Sequence, residues 1–297
     1  MTELPIDSEA PAPLLSLPTR PVSWTVRREF WENRSLYLAP LIVAALVFFG
    51  FLISTVVGHW QRMLVTGTAA SADQIAQPFT VAEGMIMAAM VIVGIFYCVD
   101  AMHSERRDRS ILFWKSLPVS DTTTVLAKAS IPILILPLLT FVITLATHLL
   151  MLLVSSVALS RSAGVSFLWT AIPWPSMWLG LLQHLIVVHG LRYAPLYAWL
   201  LFVSATARRA PFIWAALPLV AFPILEKMAF GTSHFLAAIE QMLSGGPDSS
   251  AFFKPSTAPM SHHASAFAGS PSFWIGLVVA AVFIGLTIRA RRYRGPV

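Results

Sequence analysis

One cysteine, Cys98, stands in 297 residues. That excludes an intramolecular disulfide framework and a multi-cysteine metal site. Its place in an apolar run makes it a small packing residue. Charge is also scarce: Asp, Glu, Lys and Arg make up 11% of the chain, against about 25% in an ordinary soluble domain. With 57% hydrophobic residues, the composition lies outside the soluble globular range. The short motifs of nucleotide and hydrolase chemistry are missing too. The four lysines follow Trp114, Ala127, Glu226 and Phe253, so no Gly-Lys-Ser/Thr is present to hold phosphates as a P-loop does. HExxH and GxSxG are absent. The nearest approach to a zinc pair is His184 with His189, whose i,i+5 spacing does not put both on one face of an α-helix. No catalytic residue, bound metal or bound cofactor is expected.

What the chain does have is apolar runs of about 20 residues, the length that crosses some 30 Å of hydrocarbon as a helix. Six are expected, at roughly 37–58, 79–100, 129–156, 177–206, 211–230 and 272–288. They lack the alternation of barrel strands, so the fold class is an all-α integral membrane protein. Residues 1–21 hold five prolines and three acids and are expected as a disordered tail, not a cleavable signal. Residues 22–297 form the membrane domain. Lys and Arg fall 15 on one set of alternate segments and four on the other, with Arg192 inside the fourth span. The positive-inside rule then places both termini in the cytoplasm. The basic balance, net +6, is a topology signal and a lipid contact rather than a sign of nucleic acid. SWTVRREFWENRSLY (23–37) mixes Trp24, Phe30, Trp31 and Tyr37 with three arginines, as in a helix lying in the head-group layer over about 23–36. HFLAAIEQML (234–243) is a second short interfacial helix, on the outside.

The densest charge lies between spans 2 and 3, in HSERRDRSILFWKSLPVSD (103–121). Glu105 to Arg109 read as a solvated, self-paired cluster. Ile111, Leu112, Phe113 and Trp114 follow, too apolar for a free loop and too few to span. Pro118 ends any helix by Leu117, and Ser120 or Asp121 caps the next. Two readings stand: a short helix lying flat on the membrane surface, or a docking knob whose aromatics enter a partner's groove.

ERRDRSILFWKSLPVSDTTTVLAKAS resembles the loop between the second and third helices of ABC-2-type transporter permeases, the membrane subunits of ATP-binding-cassette exporters. YAPLYAWLLFVSATARRAPFIWAALPLVAFPILEKMAF (193–230) is similar to spans 4 and 5 of one bacterial branch, and VRREFWENRSLYLAP (26–40) to its N-terminal helix. The resemblance implies a permease of the bacterial inner membrane that pairs with a second permease chain, identical or homologous. Each chain would dock on a separate P-loop ATPase that carries ATP and Mg. The loop helix would be the coupling helix, and Glu105, Arg106, Asp108, Arg109, Ser110, Phe113, Trp114 and Lys115 would contact the ATPase. The resemblance selects no substrate and leaves the Pro-rich tail without a role.

Ionisable residues also occur within the spans. Arg192 is near mid-membrane, and Glu83, His148, His184 and Glu226 lie roughly 9–10 Å outside it, at about 1.5 Å per residue. Such groups face a bundle interior and find partners. One reading is a polar lining of the outer half of an export path. The other is structural, with Arg192 snorkelling or paired and the histidines bonded to helix carbonyls. Pro132, Pro137, Pro195, Pro218 and Pro223 are kink positions, and Pro195, beside Arg192, is the candidate hinge. Rivals to the permease are a secondary carrier or channel, an intramembrane enzyme, and a membrane scaffold or sensor working without an ATPase.

Overall fold

The structure, a computed structural model, describes residues 21–58, 72–116, 119–160, 164–244 and 271–293. These residues form helices and no strand. The Pro-rich tail, Pro118 and the run after Ser244 lie outside them. In chain order the helices are α1 (Pro21–Glu32), α2 (Ser35–Val56), α3 (Ala72–Asp100), α4 (His103–Arg107), α5 (Ile111–Ser116), α6 (Asp121–Ser130), α7 (Leu136–Ala158), α8 (Gly164–Ala171), α9 (Trp174–His184), α10 (Ala194–Thr206), α11 (Pro211–Phe230), α12 (His234–Ser244) and α13 (Pro271–Tyr293). Two π-helical segments, Ile131–Ile135 and Leu185–Arg192, join α6 to α7 and lead from α9 to α10. Among the described residues, five helical stretches are long and apolar enough to cross a membrane, and the bent pair Trp174–Arg192 and Ala194–Thr206 makes six when it counts as one span.

Local sequence explains most of the boundaries. The Ser120 hydroxyl accepts from the Thr123 amide at 3.0 Å and so caps α6. From there helix runs unbroken to Ala158, 38 residues or about 57 Å at the α-helical rise. That exceeds the hydrocarbon thickness, so the polar start DTTTVLAKAS projects beyond it. Pro211 opens α11 after Ala210, which takes the left-handed region (φ 46°), and Gly231 (φ 67°) closes it. The helix α8 has no counterpart in the sequence reading.

Around α2, α3 and α7 the packing is threefold. One apolar core surrounds Met90, Leu136, Tyr193, Tyr197 and Leu201. A second, at the opposite end, gathers Phe51, Phe79, Met151, Leu168 and Trp174. The helix α10 packs along α13, where Gly276 passes Pro195. By contrast, α11 buries only Ala215 and exposes Phe212, Trp214, Leu217, Phe222 and Leu225, a surface matched to hydrocarbon rather than water.

The two π segments cross. At Gly190 an added Cβ would overlap the Ile133 carbonyl oxygen, so only glycine permits this approach. Pro132 lies inside the first segment; a proline cannot donate to the turn before it, and the wider turn relieves the clash. The second segment corrects the reading of His184 and His189. A π turn closes through i→i+5 hydrogen bonds, and the two rings pack edge to face with centroids 5.2 Å apart.

Candidate functional site: a buried ion-pair cluster beneath an exposed apolar knob

Helix α1 has two faces. Trp24, Arg27 and Trp31 share one at i,i+3 and i,i+4 spacing, with the Arg27 guanidinium 5.9 and 5.0 Å from the two exposed rings. The other face carries Glu29, which is fully buried. Glu29 Oε1 accepts from Lys128 Nζ at 2.6 Å and Arg28 at 2.9 Å. Its Oε2 accepts from the Tyr97 hydroxyl at 3.0 Å and from Asn33 at 3.4 Å.

Glu105 is the second centre, 5% exposed. Its carboxylate meets Arg28 at 2.8 Å, Lys128 at 3.3 Å and Arg291 at 2.5 Å. Arg291 also reaches Asp121 at 3.1 Å. Burial alone would lower the Arg28 guanidinium, but Glu29, Glu105 and Glu32 outweigh it and raise it, so it stays charged. The cluster therefore joins α1, α3, α4, α6 and α13 at one end of the bundle. Charges so far from water are tolerated only when each has close opposite partners and satisfied hydrogen bonds, and here every carboxylate at the centre has at least two.

The eight loop residues divide sharply. Glu105 and Arg106 face inward, which corrects the expectation of a solvated, self-paired cluster. Arg106 donates to the carbonyls of Ala205 at 2.9 Å and Ala207 at 3.2 Å, while the Ser204 hydroxyl accepts from the amides of Met102 and His103. The loop is thus pinned to the end of α10. Only Arg107 with Asp108 forms an exposed pair, at 3.0 Å, which contributes little to stability. Arg109 adopts a left-handed conformation (φ 57°) and turns the chain between α4 and α5. Ser110 is half-buried, 3.4 Å from the Glu105 carbonyl. In α5, Ile111 is buried, whereas Leu112 and Phe113 are 59% and 60% exposed. Trp114 lies under the Arg28 guanidinium, 3.8 Å from the ring centroid. Exposed Lys115 touches the Arg292 carbonyl at 3.5 Å.

The intramembrane residues do not converge on one site. Glu83 and His148 are buried on adjacent helices, and His148 Nε2 contacts the Phe79 carbonyl at 3.0 Å. His184 packs edge to face with His189, far along the fourth span. Arg192, half-buried, ends the second π segment, and Pro195 begins the next helix beyond a 45° bend. The Glu226 carboxylate caps α12, accepting from the amides of His234 at 2.7 Å and Phe235 at 2.8 Å and from the Thr232 hydroxyl at 2.8 Å.

Sequence reasoning missed Glu29, Tyr97, Asp121, Lys128 and Arg291 as members of one cluster. The signal available was weak: Lys128 stands between two alanines just ahead of a span, where a long cation has room to turn inward. Among the described residues, no group of three or more His, Cys, Asp or Glu could hold a metal. No family model matches the chain, and no curated protein or solved structure does.

Proposed function

We propose that this chain is the transmembrane permease subunit of a bacterial ABC-2-type exporter in the inner membrane. It would form the translocation path with a second permease chain and be driven by a separate ATPase subunit that binds ATP and Mg. The observation that carries this reading is α5. It presents Leu112 and Phe113 outward while its base is locked through Trp114–Arg28 and Glu105 into a cluster shared by five helices. A helix lying free on a lipid surface needs no such anchorage; a lever does.

ATP-driven closure of the ATPase subunits would push α5. The cluster would carry that displacement as a rigid unit into α1, α6 and α13, and through Arg106 and Ser204 into α10. The π crossing at Gly190 and the bend before Pro195 are where the spans yield. Copurification tests the reading: a P-loop ATPase is expected to follow the solubilised chain, and to be lost from Leu112→Ala/Phe113→Ala protein that still elutes as the wild type does. Wild-type chain purified from its native membrane with no ATPase would refute it. The second reading, a carrier without an ATPase, is favoured by one observation, the buried Glu83.

A further inference from the structure

The helices α10 and α13 run parallel and end at the same level. Gly276 passes Pro195 near one end, and further along the rings of Phe202 and Phe283 have centroids 5.8 Å apart. At the other end Ser204 and Arg291 both reach Met102. Between the last turns lies an open groove of about 310 Å³, lined by Phe202, Thr206, Leu286, Arg289, Ala290 and Tyr293.

The lining is graded. On α13, Val282, Leu286, Arg289 and Tyr293 recur at i, i+4, i+7 and i+11 and share one face, with Val282 and Leu286 exposed. Apolar surface thus gives way to a cation and then to a phenol. The stretch 271–288 carries no charge and spans about 27 Å at the helical rise, close to the hydrocarbon thickness. Arg289 therefore stands at head-group level, with the apolar wall beside acyl chains. On the α10 side Phe202 continues that wall, and the Thr206 hydroxyl donates to the Phe202 carbonyl at 2.9 Å.

The charge here is of one sign. Arg291 turns inward to Glu105 and Asp121. Arg289 lies instead 5.6 Å from the Tyr293 ring centroid. Arg208 and Arg209 follow Thr206, and Arg292 precedes Tyr293, all exposed. Among the described residues none of these four arginines is in an ion pair. A guanidinium donates in a planar fork that matches a phosphate. An apolar groove ending in uncompensated arginines fits a ligand with an acyl chain and an anionic head, whereas a zwitterionic head would bring an ammonium beside like charges. We propose that the groove between α10 and α13 binds an acidic phospholipid, its phosphate on Arg289 and one acyl chain along Phe202, Leu286 and Val282. The site stands apart from the exposed face of α5 and does not depend on an ATPase partner.

The test is native mass spectrometry of the delipidated full-length protein with three probes: phosphatidylglycerol, phosphatidylethanolamine and inorganic phosphate. The wild type is expected to take up phosphatidylglycerol saturably, about one per chain since one guanidinium lines the groove, and to prefer it to phosphatidylethanolamine about tenfold. Inorganic phosphate, which has no chain to bury, is expected not to compete. Arg289→Ala is expected to weaken uptake about tenfold, through loss of one charged donor, and Arg27→Ala on α1 to leave it unchanged. Should Arg289→Ala fail to fold, Arg289→Gln carries the same expectation. Competition by phosphate would assign the groove to a free anion, and equal affinity for the two lipids would reduce Arg289 to a snorkelling side chain; either overturns the proposal. Undiminished uptake by the Arg289 variants overturns it too, as does a wild type without saturable uptake, including one whose groove is covered by a second copy of the chain. None of these results bears on whether an ATPase copurifies.

Discussion

At position 105 one carboxylate meets three cations, while three residues later Asp108 meets one exposed arginine. Both acids stand in the same charged run, yet their energetics differ in kind. Removing Glu105 leaves Arg28, Lys128 and Arg291 crowded without their shared anion, and breaking a buried pair from one side costs about 3–5 kcal/mol. Glu105→Gln is therefore expected to lower thermal stability in detergent by that order, and Asp108→Ala to stay within about 0.5 kcal/mol. Equal melting temperatures for the two would contradict the cluster. The sequence shows the charges but not their directions. A five-residue helix is too short to display a face, and two of the partners that draw Glu105 inward, Arg28 and Arg291, are 77 and 186 residues away.

Among the elements, the π segments were the least legible. Prolines in spans 3 and 4 do mark the two places where regular helix fails, but nothing in IPILI or LIVVHGLR announces a wide turn rather than a kink. The edge-to-face contact of His184 with His189 follows from that wider turn, which is why α-helical spacing misjudged the pair. Gly190 reads in sequence as one small residue among many; its role is visible only where Ile133 crosses it. Gly190→Ala forces a methyl against backbone that cannot rotate away, and overpacking of this kind costs about 1–3 kcal/mol. A Gly190→Ala protein as stable as the wild type would show that the spans do not cross this closely. Glu226 illustrates the opposite case. It lies in the last turns of α11, and its hydrogen bonds to Thr232 and to the first two amides of α12 make it a cap.

At the scale of the whole molecule, composition and run length are enough to reveal helical architecture and, among the described residues, five or six membrane-length helices, because crossing hydrocarbon imposes length and polarity on every span. Segments grouped by charge bias as one side also meet in the structure: α1, the 103–116 segment, the start of α6 and the end of α13 converge on the ion-pair cluster. What composition could not supply is the division of labour at that end, where a rigid polar anchor supports two exposed apolar side chains. The central claim is that those side chains touch an ATPase. A photo-crosslinking amino acid at Phe113, with a control at exposed Leu149, measures this most directly in intact native membranes. An adduct between position 113 and a P-loop ATPase, absent from position 149, is the expected result; adducts at 113 to lipid alone would contradict the account.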